Sequence, residues 1–184
     1  MQHRTQILVA IVAASLVPLQ STAQGSGREA GTAPARKPAD AAPLAGVVTR
    51  VIDGDTLVLR PPAGAPLEVR LRHIDAPESC QDWGPEARRA LEEYALGKTA
   101  ELRAGPRDAY GRTVGRVTVD GQDLGVRMVV EGHAWSTRTK WDNGPLLKQE
   151  RQAMVLRRGL HAAPGAVVPW RFRETTKCPR PASR

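Results

Sequence analysis

Residues 46–78 read GVVTRVIDGDTLVLRPPAGAPLEVRLRHIDAPE, and this stretch decides the fold. Its short apolar runs alternate with polar residues at a period of two, the pattern of strands with one buried face. Strands are predicted near 46–52, 55–60 and 67–74, separated by Asp53-Gly54 and by Pro61-Pro62-Ala63-Gly64, both turn-forming clusters. Downstream, Gly84-Pro85-Glu86 opens the apolar-periodic segment Ala87 to Leu96, with proline at a first-turn position and Gly97 closing it, so a helix is predicted there. Two further strands are predicted at about 98–103 and 112–119, with a turn at Asp120-Gly121. A helix from about Leu124 to Glu131 ends at Gly132, and a last helix from about Pro145 to Arg158 ends at Gly159. Five short strands and three helices in the order βββαββαα predict an α+β fold dominated by a small closed barrel of the OB type, with helices packed on it.

The ends differ from this middle. Residues 1–23 carry a basic start, His3 and Arg4, then the apolar run Ile7 to Leu19, then Ser21-Thr22-Ala23 where a signal peptidase would cut. That is the pattern of an export signal, and the run is shorter than the roughly 20 residues a membrane-spanning helix needs. A periplasmic or secreted protein is therefore expected, with no span in its mature chain. Residues 24–45, rich in Ala, Pro and Gly, have little to bury and are expected to be a linker. The expected folded domain is 46–161, and 162–184 a Pro-rich, irregular tail.

Of 184 residues, 27 are Lys or Arg and 19 Asp or Glu, a net charge of +8, and only five of the basic residues are lysine. A positive field of this kind suits a polyanion, because neutralising phosphates releases counterions. The two cysteines, Cys80 and Cys178, both follow the export signal. An even count in an oxidising compartment favours a bridge over two free thiols, and so long a loop contributes on the order of 4–5 kcal/mol by the chain-entropy model. Neither cysteine has the neighbouring Cys or His spacing of a zinc site.

Four short pieces carry the chemistry: Ile52-Asp53-Gly54-Asp55-Thr56; Arg70 to Glu78; Gly84-Pro85-Glu86-Ala87; and Asp108-Ala109-Tyr110-Gly111-Arg112. Singly each is an ordinary turn or strand end. The Asp-Gly-Asp is not an EF-hand start, since Leu57 and Val58 stand where that loop needs an oxygen ligand and a glycine. In this order and spacing, over roughly Gly46 to Leu160, they resemble the staphylococcal nuclease family. By that resemblance Asp55 and Asp75 are the carboxylates that bind Ca2+, with the backbone carbonyl of Ala76 as a further ligand. Arg70 and Arg112 match the arginines that hold the reacting phosphate, Glu78 the carboxylate near the attacking water, and Tyr110 a tyrosine close to the phosphate.

The residue chemistry agrees with these implied roles. Calcium takes carboxylate, carbonyl and water oxygens in flexible geometry, and planar guanidinium groups suit the charge gathering on a phosphodiester under attack. One point of geometry needs a bend. Strict alternation puts Arg70 and Asp75 on opposite faces of one strand, so a bulge or break must precede Asp75 if both serve one site. The sequence departs from the family pattern in the five residues between Glu78 and Gly84, a shorter loop, in Ala109 for a common lysine, and in His161 for a common tryptophan. The resemblance implies a calcium-dependent endonuclease, expected to be monomeric, acting on DNA and RNA to leave 3′-phosphate ends. The alternative is a module of the same fold that binds nucleic acid without cutting it. His73 is expected to be packed rather than a ligand, and Trp135, Trp141 and Trp170 to be core or hinge residues.

Overall fold

The computed structural model describes residues 42–139 and 141–179. The predicted export signal and most of the predicted linker lie outside the described residues. The described elements are β1 (Leu44–Val51), β2 (Thr56–Arg60), β3 (Leu67–Leu71), β4 (Ile74–Asp75), α1 (Gly84–Ala95), β5 (Thr99–Arg107), β6 (Thr113–Val119), β7 (Gln122–Asp123), α2 (Leu124–Val130), β8 (Trp135–Ser136), α3 (Leu147–Val155) and α4 (Pro169–Thr175), with a 3-10 turn at Gly159–His161.

Strands run in the order β3-β2-β1-β5-β6-β7, and a parallel pairing of β3 with β6 closes five of them into the predicted barrel. Alternation supplies its interior: Val48 and Val51 of β1, Leu57 and Leu59 of β2, Val69 and Leu71 of β3, Ala100 and Leu102 of β5, and Val117 and Val119 of β6 are all buried. In α1, Ala87, Leu91 and Ala95 recur at i, i+4 and i+8, so one stripe faces the same core. In α2, Leu124, Met128 and Val129 do likewise. Burying one such leucine contributes about 1.5–3 kcal/mol.

The structure departs from the sequence reading in three places. β1 begins at Leu44, whose pairing with Leu102 draws two residues of the expected linker into the sheet. The strand predicted over 67–74 breaks after Leu71, because His73 adopts a left-handed φ of 69°. The chain resumes as β4, which leaves the barrel to pair with β8. The third difference corrects the expectation of an irregular tail. Pro169, buried at the helix start, opens a fourth helix, α4, while the expected Cys80–Cys178 disulfide, with Cα atoms 5.5 Å apart, ties the tail to the segment after Glu78. Among the described residues no helix is long and apolar enough to cross a membrane.

Candidate active site

Strand register assembles most of the site. Thr56 of β2 pairs with Arg70 of β3, so Asp55 lies just ahead of that pair. Val69 of β3 pairs with Thr113 of β6, which brings Arg112 to the same end of the barrel. The break at Arg72-His73 is the bend that alternation required: it turns Asp75 back toward Arg70. Gly54 lets the Asp55 turn close on the segment after β4, since a Cβ there would stand 2.7 Å from the Cβ atoms of both Ala76 and Ala87.

Asp55, 3% exposed, is the centre of this arrangement. Its Oδ1 accepts from Arg70 Nη1 at 2.5 Å and from Thr56 Oγ1 at 2.9 Å, and its Oδ2 accepts from the Ala76 N–H at 3.1 Å. The second arm of Arg70, Nη2, donates to Asp75 Oδ1 at 3.0 Å, so one guanidinium spans both carboxylates. Burial works against the charge on Arg70, but Asp55 and Asp75 outweigh it and hold its pKa above the usual value. Arg112 stands one residue away. Its Nε donates to Asp108 Oδ2 at 2.8 Å and its Nη1 to Thr56 Oγ1 at 3.4 Å. Asp108 also accepts the backbone N–H groups of Tyr110 and Arg112 through Oδ1, folding the turn that presents both side chains. Tyr110 is 81% exposed, with the Arg112 guanidinium carbon 5.3 Å from its ring centre.

Glu78 reaches the cluster through a residue the sequence reading did not single out. Arg173 of α4 donates from Nη1 to Asp75 Oδ1 at 3.1 Å and to Glu78 Oε1 at 2.7 Å, and from Nη2 to Asp75 Oδ2 at 2.9 Å. Asp53 was likewise read only as a turn former. Burial, then the neighbouring Asp55 charge, push its carboxyl up to about 7. Asp55, Arg70 and Asp75 thus touch directly, Ala76 joins by its N–H, Glu78 joins through Arg173, and Arg112 joins through Thr56. Tyr110 borders the group without a hydrogen bond of its side chain to it.

The site adjoins a groove of about 880 Å³ lined by Arg70, Asp75 and Arg173 together with Ser136 to Thr139 and the 165–171 segment. Its far wall is fixed from inside. Glu150, fully buried, accepts the Ser136 N–H at 2.8 Å and pairs with Arg138. Trp135 is buried against His161, their rings 4.8 Å apart and edge-on, whereas Trp141 and Trp170 are exposed rather than packed as expected. His73, expected to be packed, is exposed at the strand break, where partial desolvation and then the Arg72 charge lower its pKa, and it belongs to no group of three or more His, Cys, Asp or Glu among the described residues.

The donor set suits a hard cation. Among the described residues no three His, Cys, Asp or Glu side chains converge on a metal position. The two carboxylates of Asp55 and Asp75 lie one guanidinium apart, with Asp53 beside them, its carboxyl pushed up to about 7 by burial and then by the Asp55 charge. Oxygen donors of this kind fit calcium or magnesium rather than zinc.

Comparison with known proteins agrees with this architecture. Residues 68–163 match the family model described as Staphylococcal nuclease homologue. A probable staphylococcal-like nuclease of rice, Oryza sativa subsp. japonica, is 42% identical over 106 residues, which is 57% of this chain and 32% of that protein. The chain therefore spans about a third of the rice protein's length. A micrococcal nuclease of Shigella flexneri is 35% identical over 146 residues, covering 72% of this chain and 82% of the relative. An uncharacterized endonuclease of Haemophilus influenzae is 30% identical over 131 residues, covering 71% and 73%. With a closed five-stranded barrel, helices packed on it, a family model matched over residues 68–163 and two bacterial relatives covered over 82% and 73% of their length, the chain belongs to the staphylococcal nuclease homologue family.

Proposed function

We propose that this chain is an exported, calcium-dependent endonuclease that hydrolyses phosphodiester bonds of DNA and RNA and leaves 3′-phosphate ends. The observation that carries the reading is the bridge of Arg70 across Asp55 and Asp75, with Arg112 one hydroxyl away on Thr56. A site that only bound nucleic acid would have no use for two carboxylates buried beneath its arginines, since they repel phosphate. They are explained if a divalent cation joins them. The relatives named as nucleases support the same chemistry.

In this reading Asp55, Asp75 and the Ala76 carbonyl hold the calcium. A bound calcium would supply charge neutralisation and Lewis-acid polarisation of the phosphate oxygens there. Arg70 and Arg112 present planar donor forks to the non-bridging oxygens, where negative charge grows as water oxygen bonds to phosphorus and the bond to the 5′ oxygen breaks. Glu78 accepts the proton that the water gives up, and the departing 5′ oxygen takes one from solvent. Tyr110, exposed beside Arg112, is placed to meet the phosphate from the solvent side. Export is supported by the sequence pattern of residues 1–23 and by the Cys80–Cys178 bridge, which suits an oxidising compartment.

The test incubates the purified protein with plasmid DNA and single-stranded RNA, with calcium or with chelator, beside an Arg70→Ala variant. Degradation that needs calcium and Arg70 is expected. Equal degradation by both proteins would assign it to a contaminant, and salt-sensitive retention of uncut nucleic acid would favour a binding module.

A further inference from the structure

Arg173 lies outside the residues matched by the family model, yet it donates three hydrogen bonds at the site where Arg70 donates two. Its guanidinium covers both oxygens of Asp75 and one of Glu78. Three fasteners deliver it there. The disulfide joins Cys178 to Cys80, two residues after Glu78. Gln81, buried, donates from Nε2 to the Val167 carbonyl at 2.6 Å while its Oε1 accepts the Glu78 N–H at 3.1 Å, so one side chain grips both the tail and the Glu78 backbone. Finally α4, starting at Pro169, turns Arg173 inward from this anchored segment. Asp75 and Glu78 hold Arg173 firmly in its charged form.

We propose that Arg173 is an internal counter-cation of the site: the bridge-tied tail places its guanidinium on Asp75 and Glu78, where it competes with a divalent cation. This inference rests on the metal-dependent reading above. A guanidinium that chelates a carboxylate uses the lone pairs a calcium ion would take, and Arg173 covers both oxygens of Asp75 where Arg70 takes one. Tethering makes the competition intramolecular, at an effective concentration that a free guanidinium would not reach. The resting site is thereby partly neutralised without metal, and a calcium ion on Asp75 would have to move Arg173 off it, freeing that side chain.

Isothermal titration of calcium into the purified protein, without substrate, measures this directly. Arg173→Gln is expected to bind calcium about tenfold more tightly than wild type, within the usual range of coupling between two bound groups. Arg173→Lys keeps a cation on the tail and is expected to stay near wild type. Cys80→Ser combined with Cys178→Ser cuts the tether and is expected to move toward Arg173→Gln. Should that double variant fail to fold, Arg173→Gln, with the bridge intact and a side chain that is 44% exposed, carries the test alone. Equal or weaker calcium binding in Arg173→Gln overturns the proposal while leaving the metal reading in place. No calcium binding in either protein would overturn both. Unchanged affinity with a lowered kcat would overturn the competitor role and assign Arg173 to the phosphate instead.

Discussion

Arg70→Ala tests the site most directly, because both consequences of losing the guanidinium can be worked from its contacts. The side chain is 23% exposed and makes two charge-assisted bonds, at 2.5 Å to Asp55 and 3.0 Å to Asp75. Asp75 keeps Arg173 when Arg70 is gone, so the loss falls on Asp55. That carboxylate retains two neutral donors, Thr56 Oγ1 and the Ala76 N–H, but no cation. Removing one partner of a buried pair costs about 3–5 kcal/mol, and the remaining donors and partial exposure bring the expectation to about 2–3 kcal/mol. For a domain of this size that lowers Tm by roughly 10 °C. Loss of one preorganised donor to the transition state lowers kcat by about 10² to 10³. Arg70→Lys is expected to fall between, since one ammonium cannot span two carboxylates as a fork does. Circular-dichroism melts in chelator and plasmid cleavage in saturating calcium read the two effects separately. An Arg70→Ala protein that melts and cleaves like wild type would refute the assignment of Arg70 to both roles.

Gly54→Ala places a methyl 2.7 Å from Ala76 and Ala87, which is expected to cost about 1–3 kcal/mol in a chemical melt and to lower activity by moving Asp55 off the Ala76 N–H. Glu150→Ala strands Arg138 and the Ser136 N–H, so a loss of about 3 kcal/mol is expected, with weaker substrate binding from the loosened groove wall, read as a raised KM. His133 gives a pH prediction. Its Nδ1 accepts from Trp83 Nε1–H at 3.2 Å, which only the neutral ring can do, and burial lowers its pKa below 6.5. The unfolded chain then binds the extra proton first, so stability is full above about pH 6.5 and falls on acidification toward the folded pKa. Asp53, its carboxyl raised to about 7, acts in the same window with the opposite sign, so the His133 slope is read as the difference between wild-type and His133→Gln melts from pH 5 to 8, which is expected to fall on acidification.

The barrel was legible because its strands carry their own evidence. Val48, Leu57, Val69, Leu102 and Val117 alternate with polar neighbours, and burial follows that alternation strand by strand. The need for a break before Asp75 was also legible, as a conflict between period two and a shared site, but not its form. Nothing local marks His73 for a left-handed φ, since histidine adopts it there only because β4 must leave to pair with β8. Asp53 and Arg173 escaped the reading for a different reason. The carboxyl of Asp53 is perturbed by burial and by Asp55, both products of folding. The side chain of Arg173 reaches Asp75 across 98 positions, and the only signal of that closure was Cys178, five residues further on.

The electrostatics of the centre and of the whole chain have opposite signs, and each has its own ligand. Five carboxylates, those of Asp53, Asp55, Asp75, Glu78 and Asp108, face three guanidinium groups, Arg70, Arg112 and Arg173, so the centre is short of positive charge even with the tail in place. Burial first, and then the Asp55 charge, push the Asp53 carboxyl up to about 7, which removes part of that excess of negative charge near neutral pH. The chain as a whole carries +8, which draws a polyanion to the surface at long range, whereas the deficit at Asp55 and Asp75 acts within a few ångströms. A nucleic acid drawn in by the net positive charge therefore meets carboxylates that repel its phosphate unless a divalent cation lies between them. On this account cation and substrate bind cooperatively, and calcium affinity measured in the presence of an uncleavable oligonucleotide is expected to exceed that of the free protein by about tenfold. Equal affinity in the two titrations would place the cation away from the phosphate and sink the shared-site argument.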